Sequence, residues 1–168
     1  MAQALFTIME QYDYREITVT QIAQEAGLSR KTFYRLFSTK DDILRYQSEK
    51  WFSHIYEQVI EEQLHSYWDV VRCYFDFCEQ NKDMLLLLKK HNVISVFFEY
   101  IEDNAIKVFE SVYSKETAQK NSLLLPYLLS YSIGGVFSLL TKWIDNDMVI
   151  PAQELLQTLR ARYMSPKM

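Results

Sequence analysis

Between residues 18 and 37 a single glycine, Gly27, separates two stretches whose apolar residues recur at helical spacing. In the first stretch Ile22, Ala23 and Ala26 make a narrow stripe behind Thr20, which is placed to cap a helix by accepting from the free amides of its first turn. Gly27 can adopt the left-handed backbone that such a stop requires at no steric cost. Leu28 follows and is expected to plug into a small core. Ser29 caps the second helix, whose buried side is expected to be Phe33, Leu36 and Phe37. The opposite side is Arg30, Lys31, Thr32, Tyr34 and Arg35, and from Ser29 to Lys40 there are four cations and no carboxylate. Two short helices on a tight turn, the second one basic, form the unit that lays a helix in the major groove of DNA.

The side chains suit that use. Arg30 and Lys31 can donate to guanine O6 and N7, and the Thr32 methyl can meet a thymine methyl, so these three are the expected base readers. Thr20, Tyr34 and Arg35 can hold phosphate oxygens, which fix register without reading sequence. Thr39 and Lys40 open the next helix, where free amides and the dipole also favour a phosphate. A basic face by itself would equally suit a solvated helical hairpin. The Thr-x-x-x-Ala-x-x-x-Gly-x-Ser order with the aromatic pair behind it favours DNA.

These residues carry a resemblance. The run Ile17-Thr18-Val19-Thr20-Gln21-Ile22-Ala23, followed by Ala26 to Phe37 and by Lys40-Asp41-Asp42-Ile43-Leu44, closely resembles the tetracycline-repressor (TetR) family. Ala4-Leu5-Phe6 and Tyr12 match the end of that family's first helix and the loop after it, so the resemblance covers residues 4 to 46. It implies an all-α protein, with a helix-turn-helix head of three helices at 1–46 and a helical body at 47–168 for effector binding and dimerisation. The implied function is transcriptional regulation, usually repression. The partners are double-stranded DNA, a second copy of the chain and a small apolar or aromatic effector. Family members generally carry a further stretch ahead of the residue matched by Ala4, so either the opening helix starts late here or further residues precede Met1. A helical interaction protein whose head no longer binds DNA is the alternative.

Composition sets the outer limits. A chain of 168 residues with 49% hydrophobic and 15% aromatic residues can bury a real core and is not intrinsically disordered. Three Gly and three Pro leave few breaks, so long amphipathic helices are expected. The net charge of −4 falls wholly beyond residue 50, since the first fifty residues carry seven charges of each sign. Attraction to DNA must then come from the local run 29–40. No 18-residue apolar stretch free of charge occurs, so no membrane association and a cytoplasmic location are expected. Cys73 and Cys78 are too few and wrongly spaced for a disulfide framework or a zinc knuckle.

Chemistry of other kinds finds no pattern. His54, His65 and His91 are isolated, which argues against a metal site. Asp145-Asn146-Asp147 lacks the central glycine of a calcium loop, and Leu156 stands where the bidentate Glu belongs. Nucleophile elbows, Walker loops and dinucleotide fingerprints are missing, so neither an enzyme nor a cofactor is expected.

In the body, residues 40–63 read as one helix with Ile43, Leu44, Tyr46, Trp51, Ile55, Val59 and Ile60 on its stripe. Such a stiff element could carry a tilt from body to head. Further helices are expected at Tyr67–Gln80, Asp83–Lys90 (with Leu85 to Leu88 nearly all buried, capped by Asn81 or Asp83), Val93–Tyr113, Ser122–Ile144 and from Pro151 to about Tyr163. Pro126 sits in the first turn of its helix or kinks it. Gly134 and Gly135 fall mid-helix, where each costs on the order of 1 kcal/mol against Ala. Close approach of another helix backbone is the usual reason. A dimer through the last two helices is therefore expected, with Gly134, Gly135, Phe137, Trp143, Leu155 and Leu159 at the interface; internal packing of the body is the alternative. The family resemblance also implies an effector pocket, for which Trp68, Tyr74, Cys78, Tyr100, Tyr127 and Tyr131 are the candidates.

Overall fold

The computed structural model describes residues 1–112 and 123–164. Among them are nine α-helices and no strand: α1 (Ala2–Met9), α2 (Val19–Glu25), α3 (Arg30–Leu36), α4 (Lys40–Glu61), α5 (Tyr67–Gln80), α6 (Lys82–Lys90), α7 (Ser95–Val112), α8 (Leu125–Asp145) and α9 (Ala152–Met164). The all-α architecture is the one expected. The expected helix ends at Tyr113 and Ser122 lie outside the described residues. The chain forms two compact units, one of Met1–Ser53 with Asp83–Ile101, the other of His54–Lys82 with the described residues from Glu102 onward.

In the first unit, α1 buries Leu5, Phe6, Ile8 and Met9, α2 buries Ile22 and Ala23, and α3 buries Phe33. α1 packs on α2, and α2 on α3. Ile43, Leu44, Trp51 and Phe52 of α4 complete this core. Phe6 stacks on Trp51 with ring centroids 6.3 Å apart, and Trp51 meets the edge of Phe97 at 5.3 Å. Such pairs contribute about 0.5–1.5 kcal/mol beyond the area they bury. Tyr46 and Ile60, expected on the α4 stripe, are exposed instead. Ser48 takes an inner place by donating its hydroxyl to the Leu44 carbonyl at 2.9 Å.

The start of α4 is capped from both sides. The Thr39 hydroxyl accepts from the Asp42 amide at 3.3 Å, and the Asp42 carboxylate accepts from the amides of Thr39 at 2.8 Å and Ser38 at 2.9 Å. These bonds, the Thr39 amide first among them, hold the Asp42 carboxyl below its ordinary range.

The second unit is built around α5, which Ser66 caps by accepting from the Asp69 amide. α5 buries Val71, Cys73, Tyr74, Phe75, Phe77 and Cys78, and α9 packs against it. Pro126 lies in the first turn of α8, where its missing N–H costs nothing. Pro151 stands one residue ahead of α9, its carbonyl accepting from Leu155. The Asp145–Met148 segment is a helix ending: the Met148 amide returns to Trp143 and the Asp147 amide to Ile144. In α6, Leu85 and Leu88 are buried, whereas Leu86 and Leu87 are half-buried, a narrower stripe than expected.

Candidate nucleic-acid interface

The turn between α2 and α3 sets the site. Thr18 is the N-cap of α2: its hydroxyl accepts from Gln21 N–H at 3.3 Å, and the Gln21 side chain accepts from Thr18 N–H at 2.8 Å. This reciprocal box displaces Thr20, the expected cap, into the first turn, where it is exposed. At the other end Gly27 takes φ +65°. Its amide bonds to Gln24 O at 2.9 Å and the Leu28 amide to Ala23 O at 2.8 Å, the paired bonds of a Schellman ending. Leu28 is 42% exposed and does not plug a core as expected; its amide closes the turn while its side chain stays at the surface.

Ser29 caps α3 as expected, accepting from the Thr32 amide at 3.1 Å. Phe33 alone of the expected inner residues is fully buried. Phe37 is half-buried, with its ring on Phe33 and on Tyr46, and Leu36 is 57% exposed. The helix touches its support along one line, so a residue three positions from Phe33 already faces solvent.

Arg30, Lys31, Tyr34 and Arg35 are exposed, and Thr32 is half-buried. Arg30, Lys31 and Arg35 make no ion pair among the described residues, unlike Arg45 with Asp42 or Arg72 with Glu62 and Asp76. Lys31, Thr32, Tyr34 and Arg35 share with Ser29 the wall of an open concavity of about 380 Å³. The Thr32 hydroxyl lies 3.0 Å from that of Ser29. That contact engages the polar end of Thr32 and leaves its methyl for apolar contact.

Two expected phosphate ligands stand differently. Thr39 is exposed, but its hydroxyl and amide serve the α4 cap. Lys40 is a correction. Its ammonium donates to the carbonyls of Tyr14, Arg15 (3.1 Å) and Ile17 (2.9 Å), and it lies 4.5 Å above the Tyr14 ring. An ammonium has three donors, and all three are taken. Burial among these carbonyls also pulls its pKa below the ordinary lysine value.

Residues 3–46 match the model of bacterial regulatory proteins of the tetR family, and residues 66–162 match the model described as a transcriptional regulator C-terminal region. The chain belongs to the TetR family of DNA-binding transcriptional regulators. No curated protein and no solved structure matches it. Nothing in these matches favours a head that has lost its DNA.

In this TetR-family regulator the expected effector residues differ in burial. Tyr74 and Cys78 are buried on α5, and burial pushes both their pKa values up. Trp68 is half-buried, against the edge of Tyr67. Tyr100 belongs to the first unit, its ring against Phe52 at 5.7 Å. Tyr127 and Tyr131 are 74% and 84% exposed in the single chain.

Of the expected dimer residues, Gly134, Gly135 and Phe137 are exposed on α8, and Leu155 and Leu159 are half-buried on α9. Trp143 is also a correction. It is buried within its own unit, 5.2 Å from the Phe75 ring, with its indole N–H donating to Ile150 O at 2.7 Å. No described helix is long and apolar enough to cross a membrane. Among the described residues no group of three His, Cys, Asp or Glu is placed to hold a metal ion.

Sequence reasoning missed His91. Its ring lies buried between Met9 and Tyr14, seventy-seven positions from the latter. No local pattern announces such a partner.

Proposed function

We propose that this TetR-family regulator is a homodimeric repressor that inserts α3 of each copy into successive major grooves. Arg30, Lys31 and Thr32 read base edges, while Thr20, Tyr34 and Arg35 hold phosphates, joined by Thr39 through the hydroxyl proton that its cap bond does not use. The head spans 1–46 and the body 47–168. The observation that carries the reading is the set of cations on α3, exposed and free of carboxylates beside the concavity. The protein regulates rather than catalyses and works in the cytoplasm.

Pairing is through α8 and α9. Tyr127, Leu128, Tyr131, Gly134 and Gly135 form an exposed face, with Phe137 beside it, that a second copy would bury. The body takes a small apolar or aromatic effector, with Trp68, Tyr74 and Cys78 the remaining candidates on α5.

Fluorescence polarisation against genomic fragments at two salt concentrations tests the DNA reading. Wild type should bind a subset tightly and lose affinity as salt rises. Arg30→Ala or Lys31→Ala should cost about 1–3 kcal/mol and relax specificity at one position, whereas Arg35→Ala should weaken all duplexes alike and flatten the salt slope by about one. Binding that ignores both sequence and salt would sink the proposal.

A further inference from the structure

Tyr14 lies in the loop that joins α1 to α2, and each of its polar atoms is held by a residue remote in the chain. Its amide donates to His91 Nδ1 at 3.2 Å, its carbonyl accepts from Lys40 Nζ, and its hydroxyl donates to the Asp41 carboxylate. The two remaining donors of Lys40 reach Arg15 and Ile17, the last residue before the Thr18 cap. His91 Nε2 lies 2.8 Å from the Met9 carbonyl. A carbonyl only accepts, so Nε2 bears the proton and Nδ1 keeps the lone pair that Tyr14 N–H needs. One neutral tautomer thus serves both contacts. The path from the last turn of α1 to the cap of α2 is pinned along its length, by Lys40 at the start of α4 and by His91 at the end of α6.

We propose that Tyr14, Lys40 and His91 are positioning residues for DNA recognition, setting where α2 begins, and so where Gly27 presents α3, without touching DNA themselves. The proposal rests on the DNA-binding reading and extends it. Lys40 contributes through the backbone it holds and not through a phosphate. His91, outside the 3–46 family match, ties the 83–101 stretch, in the same compact unit, to the 1–46 head. All three act within one compact unit.

The test uses the full chain, with Lys40→Met, His91→Asn and His91→Gln, and a duplex selected from genomic fragments by wild type. Lys40→Met should weaken binding about tenfold or more at every salt concentration, as loss of charge-assisted bonds implies, with the slope of log K against log salt unchanged. A slope reduced by about 0.9 means that Lys40 neutralises a phosphate, and overturns its positioning role. Asn can place an acceptor near Nδ1, whereas Gln can replace only the Nε2 donor. His91→Asn should therefore stay within about threefold of wild type while His91→Gln loses about tenfold. Equal effects of the two would reduce His91 to packing.

Hydrogen exchange at the Tyr14 amide supplies a readout that needs no DNA. It should speed up in His91→Gln and stay slow in His91→Asn. If wild type binds no duplex, the functional reading fails. The exchange result then decides the pinning separately, and an unaltered Tyr14 rate in His91→Gln overturns it.

Discussion

At Gly27 the chain reverses by returning two amides to α2, and the conformation this needs, φ +65°, lies in the region that side chains resist. Nothing lies within 4 Å of where a Cβ would stand, so a substitution meets strain without collision. Gly27→Ala is expected to cost about 1–2 kcal/mol, read as a fall in the thermal midpoint, and Gly27→Asn less, since Asn tolerates the left-handed region. Equal losses would show that strain is not the cause. This glycine was legible because its role is local. The cap of α2 was misplaced at Thr20, although Gln21, three residues after Thr18, is the partner that makes Thr18 the cap. Lys40 and His91 were not legible. A charge tally cannot tell an ammonium facing solvent from one that three carbonyls have claimed, and a histidine's partners seventy-seven and eighty-two positions away leave no periodicity.

At the scale of elements, α3 is too short to hold itself together in water, because seven residues cannot repay helix nucleation. Its order comes from the Ser29 cap and from Phe33, the one side chain it buries. Phe33→Ala should cost about 3–5 kcal/mol and abolish DNA binding with it. Leu36→Ala should stay within about 0.5 kcal/mol, the usual range for surface changes. Chemical denaturation of both variants distinguishes this one-line attachment from the broader stripe that spacing suggested. The α4 cap offers a pH test. The folded Asp42 carboxyl titrates below its unfolded value, so its contribution is present above the ordinary carboxylate range and is lost as pH falls through the folded value. Asp42→Ala should lower the thermal midpoint at neutral pH, and the gap from wild type should close in acid. A gap that persists in acid would mean that the ionised carboxylate is not what stabilises the cap. Helices with strong periodicity, α5 above all, ended where the pattern ended. α7 and α9 began one or two residues late, where the pattern alone does not fix an end.

For the whole molecule the decisive surface is the outer side of α8. Only its last turns are inside, with Leu140, Trp143 and Ile144 buried, while Tyr127, Leu128, Tyr131 and both glycines face outward. Trp143 was read as part of that outer face because an apolar helix does not declare which of its sides its own chain will claim. Gly134 and Gly135 give a test in which two effects have opposite signs. In the single chain no atom other than the adjoining residues and backbone of α8 itself lies within 4 Å of a Cβ at either position, so alanine there is unhindered and should favour the helix by about 1 kcal/mol apiece. In a dimer whose backbones approach at these glycines, the same two methyls force the helices apart. The double change Gly134→Ala with Gly135→Ala should thus raise the dimer dissociation constant in analytical ultracentrifugation by about tenfold or more, the equivalent of about 1.4 kcal/mol. Affinity for a two-half-site duplex should fall with it, because both heads must be held at one spacing. A variant that melts higher and dimerises as tightly as wild type would place the partner on another face of the body. The apolar residues of α8 would then need a different cover, and the half-site spacing a different geometry.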